Sequence, residues 1–399
     1  MLSGKLALKY SMKHWLINIS LLISALFIAV VIAEILLRII GFSYHNFQEF
    51  NAITGRKLIP NAEGWFRKEG SVYIKINSDG WRDREHSKVK PKNVVRIAIL
   101  GDSFTEALHV AVENTFWSIL QAKLNDCKAF GDKKVEVINF GVGGFGTDQE
   151  LLTLRHWVWD YAPDIVLLAF YTGNDIRNNS KILEPYKLKP FFVPQGEKLE
   201  LDNSFINHPT YKWKTGLFWS GLRYLYRYSR TVQLVTKLWD LYVSFKLNDN
   251  NGNQLQFDYL YHTIFLPPIT PDWEQAWKIT EDLIVQMRKE VEGENARFIL
   301  VTLSNDIQVH PDAEVRRKFL EELDILDLYY PERRIKKFAE KEDIELLLLA
   351  PVFQKYTEKN NTYLHGFTNS VSQGFGHWNI NGHRLAGEII AKYFCHGGL

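Results

Sequence analysis

The sequence predicts an α/β fold, in which a parallel sheet is covered by helices on both faces, preceded by one transmembrane helix. From residue 94 onwards, short and nearly continuous apolar segments alternate with segments of helical periodicity. This is the pattern of a parallel sheet packed between two layers of helices. Closer to the N-terminus, residues 15–33 form a mostly apolar run without a charged side chain. The run is close to the length of roughly 20 residues that a membrane-spanning helix needs.

The composition limits the classes of function. The chain has 399 residues, of which 46% are hydrophobic, so it can bury one large core or two ordinary ones. Its 48 basic and 46 acidic residues nearly cancel, which gives no reason to expect a nucleic-acid partner. The 12 histidines show no metal-ligand spacing, and we expect neither a metal nor another cofactor.

The two cysteines, Cys127 and Cys395, are too few for a disulfide framework or a zinc cluster. They could pair with each other, but their separation along the chain does not decide this. We therefore expect no structural role for them.

The N-terminal region predicts a single-pass membrane protein. Residues 1–14 contain three lysines and no acid, so the positive-inside rule places them in the cytoplasm. Residues 15–40 are the predicted anchor. The rest of the chain is then extracytoplasmic, in a periplasm or at a cell surface.

A cleaved signal peptide is the alternative interpretation of this region. Val31 and Ala33 fit a small-residue cleavage site before Glu34. The apolar run is long for a signal peptide and its second half contains neither Gly nor Pro, which favours an uncleaved anchor.

Three segments follow the anchor. Residues 41–93 are mixed and polar, and we expect a lead-in rather than part of a core. Residues 94–399 form the main domain, interrupted by an insertion at 177–268 that is rich in aromatic residues and proline. The insertion leaves the domain directly after a polar motif, so we expect it to fold over the sheet edge as a lid. The alternative is a peripheral decoration.

The elements of the main domain follow from the period of the apolar residues. The predicted strands are residues 95–100, 135–140, 165–171, 297–303 and 344–350. The predicted helices are residues 113–125, 147–159, 216–246 inside the insertion, 272–292, 332–342 and 381–393. Residues 351–376 are predicted to form a loop.

The first predicted strand ends abruptly in Gly101-Asp102-Ser103-Phe104. A buried strand that ends in this way places a hydroxyl at the carboxyl edge of the sheet, where open α/β folds bind ligands. Taken alone, the motif also fits an ordinary turn in which Asp102 or Ser103 caps a helix.

Further polar motifs follow the next two strands and precede the last helix. They are Asn139 to Gly146 (NFGVGGFG), Gly173-Asn174-Asp175 and Gly376-His377-Trp378-Asn379. A serine hydroxyl becomes a nucleophile when a base removes its proton, and His377 can do this for Ser103. The resulting oxyanion needs preorganised donors, which the backbone N–H groups of Ser103 and Gly144 and the side chain of Asn174 can supply. We expect Asp102 and Asp175 to support these loops by hydrogen bonds.

Together, the motifs GDSF, NxGxxG, GND and HxN resemble the SGNH, or GDSL, hydrolase superfamily, over roughly residues 79–390 outside the insertion. The resemblance implies a flavodoxin-like three-layer sandwich that acts on esters, often acetyl groups on carbohydrates. It also implies that Ser103 is the nucleophile, that Gly144 and Asn174 complete the oxyanion hole, and that His377 is the base.

The chain departs from the family pattern at one place. The family usually has an Asp two or three residues before the catalytic His, but here Phe375 and Gly374 stand at these positions. A backbone carbonyl or an acid from elsewhere in the fold would have to orient His377. His383 is a rival base, but it lies in the first turn of a predicted helix.

We therefore expect a membrane-anchored serine esterase that uses Ser103 and His377. Its partner would be an acylated glycan or another ester of the cell envelope, with an O-acetyl group as the expected acyl group. An O-acyltransferase that uses the same residues is one alternative. The other alternative is a non-catalytic glycan-binding protein on a decayed hydrolase scaffold, which the absent Asp suggests.

Overall fold

The structure is a computed structural model that describes residues 2–196, 198–248, 262–368 and 373–396. The chain divides into two compact units. One, here called the anchor unit, consists of Met1–Asn46 and Gly216–Asn250. The other, the α/β unit, consists of Phe47–Thr215 and Asn251–Leu399.

The strands and helices are numbered here in chain order. The strands are β1 (Gln48–Asn51), β2 (Gly55–Leu58), β3 (Glu63–Phe66), β4 (Val72–Lys75), β5 (Val94–Gly101), β6 (Lys134–Asn139), β7 (Ile165–Phe170), β8 (Phe191–Gln195), β9 (Lys198–Asp202), β10 (Arg297–Thr302) and β11 (Leu346–Leu348). The helices are α1 (Leu2–Ile39), α2 (Ser103–Glu106), α3 (Phe116–Asp126), α4 (Thr147–His156), α5 (Asp175–Asn178), α6 (Pro209–Thr215), α7 (Leu217–Tyr228), α8 (Arg230–Asn248), α9 (Pro271–Gly293), α10 (Ala313–Leu323), α11 (Tyr330–Lys341), α12 (Ala350–Asn360) and α13 (Ile380–His396).

The central sheet confirms the predicted fold class. Among the described residues, five parallel strands pair in the order β11-β10-β7-β5-β6. Counted in chain order, this is the flavodoxin-like order 2-1-3-4-5. The order reverses beside β5, because the chain continues to β6 on one side and to β7 on the other. A crevice at the carboxyl end of β5 is therefore the expected ligand position in this topology.

Helices cover both faces of the sheet because successive side chains of its strands point to opposite sides. On β5, Ile97 and Ile99 join a core cluster with residues of α3, α12 and α13. The intervening Ala98 and Leu100 join the other cluster, with residues of α4, α9 and α11. The six residues of β7 are all buried, as in a strand with helices on both sides.

The unit boundaries differ from the expected ones. The expected lead-in, residues 41–93, contributes two antiparallel hairpins to the α/β unit from Phe47 onwards. Leu58 and Ile74 of these hairpins are fully buried in its core. The expected insertion, residues 177–268, is divided: its first part, up to Thr215, belongs to the α/β unit, and Gly216–Asn250 belongs to the anchor unit.

One element prediction is wrong. Helix α12 lies where the sequence predicted a loop at residues 351–376. Pro351 stands in the first turn of α12, where its missing N–H costs nothing. The buried residues Phe353 and Thr357, four positions apart, then face the core.

The expectation that the cysteines have no structural role is also wrong. Cys127, which follows α3, forms a disulfide with Cys395 in α13, 268 residues later. The two helices pack so closely that a Cβ on Gly387 would lie 2.6 Å from the carbonyl oxygen of Phe116. The disulfide thus ties the closing helix to the first helix of the same sheet face.

Replacing both Cys127 and Cys395 by Ser should lower the free energy of unfolding of the α/β unit. The expected loss is about 2–5 kcal/mol, because the unfolded chain regains the freedom that the cross-link removes. Urea denaturation of the full-length protein in detergent measures the loss. Reduction should destabilise the wild type by a similar amount and leave the double variant unchanged. Equal stability of variant and wild type would contradict a structural role for the disulfide.

Helix α1 of the anchor unit is long and apolar enough to cross a membrane over His14–Ile39. By length and composition alone, a signal sequence passes the same test. The orientation of the chain across a membrane remains a prediction.

Candidate active site

Ser103 lies at the carboxyl end of β5, where the strand order reverses. It is the first residue of α2, and Asp102 is the cap of that helix, with its Oδ1 accepting the Phe104 N–H at 2.9 Å. Gly101 is required by the tight turn, since a Cβ there would lie 2.2 Å from Thr105 Oγ1. The motif therefore both begins α2 and positions the hydroxyl of Ser103 at the edge of the sheet.

The structure brings His377 to this serine. His377 Nε2 lies 2.8 Å from Ser103 Oγ, although the two residues are 274 positions apart. The loop that carries His377 is held by two hydrogen bonds at Gly376, whose N–H donates to Asp306 Oδ2 at 2.8 Å and whose carbonyl oxygen lies 2.6 Å from His365 Nδ1. The predicted nucleophile and base are thus within hydrogen-bonding distance.

Glu69 lies behind the imidazole. Its Oε2 is 2.8 Å from His377 Nδ1 and also accepts the His377 backbone N–H at 3.4 Å. Glu69 stands in the turn between β3 and β4, and a Cβ on its neighbour Gly70 would lie 2.5 Å from the His109 carbonyl oxygen. Close packing of this turn positions the carboxylate. Of the alternatives open for orienting His377, the structure presents an acid from elsewhere in the fold.

Residue 374 has no room for an acid of its own. Gly374 has φ of +93°, and a Cβ there would lie 2.7 Å from His310 Nε2. An aspartate at this position would be strained and would collide with the imidazole of His310. The loop therefore cannot take its acid from position 374, and the other position of the family pattern, 375, is occupied by Phe.

Glu69 and His377 shift each other's pKa. Burial raises the pKa of Glu69, but the hydrogen bond and the charge of His377 outweigh it and lower that pKa below its ordinary value. Burial lowers the pKa of His377, but the hydrogen bond and charge of Glu69, helped by Asp102, raise it above its ordinary value. The arrangement stabilises the imidazolium that forms when the base takes a proton.

The expected oxyanion donors come from three neighbouring loops. Ser103 N–H belongs to the first turn of α2. Asn174 precedes α5, and its Nδ2 donates to Asp102 Oδ2 at 3.0 Å. A side-chain amide nitrogen carries two hydrogens, so the other is available to a ligand. Gly144 has φ of +78° in the loop between β6 and α4.

The loop between β6 and α4, here called the glycine loop, is held in place by polar side chains. Gln48 Nε2 donates to the carbonyl oxygen of Gly143 at 3.1 Å. The carboxylate of Glu106 lies on the same side as the Gln48 amide, since a Cβ on Gly143 would be 2.5 Å from Glu106 Oε2 and 3.4 Å from Gln48 Nε2. Burial raises the pKa of Glu106 to about 7. The guanidinium of Arg56 lies against Gly144, 3.0 Å from where a Cβ would stand, and adds a positive charge beside the donors.

Asp102 and Asp175 contact backbone and loop groups. Asp102 accepts hydrogen bonds from the Phe104 N–H and from Asn174 Nδ2, and the hydroxyl of Ser103 lies 3.4 Å from Asp102 Oδ2. Asp175 Oδ2 accepts the N–H of Tyr171 at 2.7 Å. Burial, together with the charges of nearby acids, raises the pKa of Asp175 well above its ordinary value. These contacts fit a supporting role better than proton transfer.

The rival base His383 is fully buried and does not contact Ser103. Its Nδ1 accepts the Phe116 N–H at 3.4 Å, so a neutral ring carries its proton on Nε2. That atom lies 3.2 Å from Nε2 of the buried His109. Burial lowers the pKa of both His109 and His383 well below the ordinary value of a histidine. The ring of His109 in turn stacks on His377, with centroids 4.8 Å apart.

The side chains of Glu69, His109 and His377 could also hold a metal ion by their spacing, since a donor atom of each lies within 4.8 Å of the others. Both ring nitrogens of His377 already lie 2.8 Å from hydrogen-bond partners, Glu69 and Ser103. A metal would have to displace one of these two partners. The donor set therefore fits a Ser–His–Glu triad better than a metal centre.

Sequence reasoning missed Glu69. The only local signal was the pair Glu69-Gly70 between two short apolar stretches, which is a common turn sequence. Glu69 and His377 are separated by 308 positions, and no spacing rule connects them.

The chain is similar to solved structures of ester hydrolases. One is an acetyl xylan esterase, AlAXEase, with 15% identity, a TM-score of 0.37 and coverage of 74% of this chain and 98% of that one. Another is a catalytic mutant of Axe2, an acetylxylan esterase from Geobacillus stearothermophilus, with 11% identity, a TM-score of 0.38 and coverage of 78% and 98%. A third is the lipase Lip_vut3 from a goat rumen metagenome, with 13% identity, a TM-score of 0.37 and coverage of 76% and 98%.

No protein-family model and no curated protein matches the chain. The low identities and TM-scores of the solved structures do not define an activity for it. The function has to be inferred from the geometry of the site.

Replacing Glu69 by Gln tests the carboxylate behind the imidazole. If His377 acts as the base in its neutral form, activity is present above its pKa and is lost as pH falls through it. Without the negative charge that raises this pKa, the acid limb of the pH profile of kcat/KM should move to lower pH. The value of kcat should fall by roughly 10²–10⁴-fold, because the imidazolium loses its counter-ion. Hydrolysis of p-nitrophenyl acetate over a pH series measures both changes.

Glu63→Gln is the matched control for this variant. Glu63 is an exposed acid on the same hairpin, and its basic partner is Lys75 at 3.9 Å. Its replacement should leave the pH profile and kcat as in the wild type. A Glu69→Gln profile that coincides with that of the wild type would rule out the role given to Glu69.

Replacing Gly144 by Ala tests the glycine loop. The added methyl group is strained at positive φ and lies 3.0 Å from Arg56 Nη1, so the N–H of residue 144 should move. We expect kcat to fall by roughly 10–10³-fold with little change in KM, as when an oxyanion donor is lost. Gly131→Ala is the control, because Gly131 has φ of +67° with no atom within 4 Å of a Cβ. An equal loss of kcat in both variants would count against a specific role of Gly144.

Proposed function

We propose that this protein is a membrane-anchored, extracytoplasmic serine esterase that hydrolyses O-acyl esters of a glycan or another cell-envelope molecule, with O-acetyl esters as the expected substrates. One observation carries the proposal. Ser103 Oγ, His377 and Glu69 form a chain of two contacts of 2.8 Å at the carboxyl edge of the sheet. This is the arrangement that activates a serine hydroxyl.

In the first half of the reaction, Ser103 Oγ attacks the carbonyl carbon of the ester, and His377 Nε2 accepts the hydroxyl proton. The carbonyl oxygen becomes an oxyanion, which the N–H groups of Ser103 and Gly144 and the amide of Asn174 stabilise. The bond to the alcohol then breaks, and His377 gives its proton to the departing alkoxide. The products are the free alcohol and an acyl ester on Ser103.

In the second half, a water molecule gives a proton to His377 Nε2 and attacks the acyl carbon. The same donors stabilise the second oxyanion. The bond to Ser103 Oγ breaks and the proton returns to it, which releases the carboxylic acid. Glu69 keeps its charge throughout and balances the imidazolium in both halves. Mutation of one oxyanion donor typically costs 10²–10³-fold in rate, so three donors account for much of the acceleration.

The extracytoplasmic location has two supports. Helix α1 is long and apolar enough to span a membrane. The disulfide between Cys127 and Cys395 belongs to the kind that persists in oxidising compartments outside the cytosol.

The two alternatives differ in their standing. The hypothesis of a decayed, non-catalytic scaffold rests on the absent Asp. Glu69 counts against it, because its carboxylate lies behind the imidazole of His377. A transferase would use the same acyl enzyme and differ only in accepting a sugar hydroxyl instead of water. Nothing in the described side chains favours it over hydrolysis.

Replacing Ser103 by Ala should lower the kcat for p-nitrophenyl acetate by about 10⁴-fold or more, because the nucleophile is lost. A fluorophosphonate probe should label the wild type on Ser103 and leave this variant unlabelled, as located by mass spectrometry. Ser87→Ala, at an exposed serine before β5, is the control and should keep both activity and labelling. Unchanged hydrolysis by Ser103→Ala would refute the proposal.

Product analysis distinguishes hydrolysis from transfer. With an O-acetylated glycan and an excess of a deacetylated acceptor, an esterase should release free acetate in proportion to the ester consumed. Acetylated acceptor in excess of free acetate would favour the transferase.

A further inference from the structure

Helix α7 of the anchor unit presents an apolar face that its own unit covers only in part. None of its residues is buried. Its large exposed apolar side chains recur at spacings of three, four and seven residues, which place them on one side of a helix. They are Leu217 (94% exposed), Phe218 (71% exposed), Tyr224, Leu225 and Tyr228.

The charge of this segment is strongly positive. Residues 216–248 contain Asp240 as their one acid in the sequence, against five basic residues: Arg223, Arg227, Arg230, Lys237 and Lys246. Helical geometry turns Arg223 and Arg227 away from the apolar face of α7. A helix with aromatic and aliphatic residues on one side and basic residues on the other is typical of helices that lie in a membrane interface.

The segment is tied to the apolar helix α1. The carboxylate of Glu34 in α1 accepts the N–H groups of Arg230 and Thr231, at 3.0 and 2.9 Å, and the hydroxyl of Ser229 at 3.0 Å. Glu34 therefore caps the N-terminus of α8, where negative charge is favourable. The contact also gives a hydrogen-bonded partner to a charged residue of a candidate membrane span.

The position of α7 along α1 matches the depth of a membrane interface. A cavity of about 360 Å³ lies between the two helices. It is lined by Val30, Val31 and Ile35 from α1 and by Tyr224, Leu225 and Tyr228 from α7. Residues 30 and 35 lie about 14 and 6 Å before Ile39, at 1.5 Å per residue, and Ile39 ends the candidate span. Interfacial helices bury their apolar face about 5–10 Å into the boundary between headgroups and acyl chains.

We propose that α7 is a second membrane contact of this protein, beside the spanning helix. Its apolar face lies in the boundary layer of the bilayer that α1 crosses, and its basic side chains bind anionic phospholipid headgroups. The proposal rests on α1 as a membrane span and not on esterase activity. It requires that α1 is retained, because cleavage before Glu34 would remove most of the candidate span, His14–Ile39, and leave α7 beside no membrane-spanning helix. Helix α7 thereby holds the chain at the membrane surface.

Depth-dependent quenching tests the membrane contact of α7 in the full-length protein. Phe218→Cys and Leu225→Cys place a fluorescent label on the apolar face of α7, and Leu326→Cys places it on an apolar residue of the α/β unit that is 98% exposed. The native cysteines are paired in a disulfide and do not react. The carriers are nanodiscs that hold one copy each, made of phosphatidylcholine with a minority of phosphatidylglycerol and with nitroxide-labelled lipids.

We expect both labels on α7 to be quenched at least about threefold more than the label at position 326, since a face buried about 5–10 Å is within reach of the nitroxides. Equal quenching at all three positions would overturn the proposal. Because each nanodisc holds one copy, a second copy of the chain cannot cover the face and mimic the result.

Photo-crosslinking of the wild type provides a measurement that needs no variant. Diazirine-labelled phospholipids should react with the peptide that contains residues 217–228 as well as with α1, and not with the peptide that contains Leu326. The intact mass of protein purified from membranes should include residues 1–33. A mature chain that begins at Glu34, or a peptide of α7 without lipid adducts, would overturn the proposal.

Discussion

The hydrogen bond between Glu69 and His377 is the interaction on which the proposed chemistry depends. It joins a hairpin near the start of the α/β unit to a loop near its end, across 308 positions. The loop has no acid at either position of the family pattern: residue 375 is Phe, and at Gly374 the backbone has positive φ and a side chain would collide with His310. The hairpin supplies one because Gly70 lets its turn pack directly on the backbone of His109. The carboxylate behind His377 therefore comes from the hairpin and not from the loop that carries the histidine.

Burial determines the protonation of the groups around this pair. His109 and His383 are buried and neutral, so they form a packed layer behind His377 without adding positive charge to it. Asp175 is buried with other acids and holds its proton at pH values where an exposed aspartate is ionised. Glu69 is only partly buried and has a histidine partner, and its pKa is lowered. Of these four groups, Glu69 is therefore the one whose charge can balance an imidazolium.

The anchor unit adds a constraint of a different kind. The cap that Glu34 makes on α8, together with the hydrogen bond from Arg38 to the carbonyl oxygen of Tyr228 at 2.6 Å, makes α1 part of a folded unit instead of an isolated tail. Glu34 and Arg38 both follow the candidate cleavage site, so these bonds belong to the chain with or without residues 1–33.

The sequence by itself determined the features that local chemistry encodes. The strands of the parallel sheet were recognisable from their continuous apolar residues, and Ser103, Asn174 and His377 from short motifs at the ends of elements. These signals are local because strand burial and turn formation depend on residues only a few positions apart. Tertiary structure alone decided the position of Glu69, the pairing of Cys127 with Cys395 and the division of the insertion between two units. Each of these depends on surfaces that meet only after folding, and the number of residues between two groups carries no information about whether they meet.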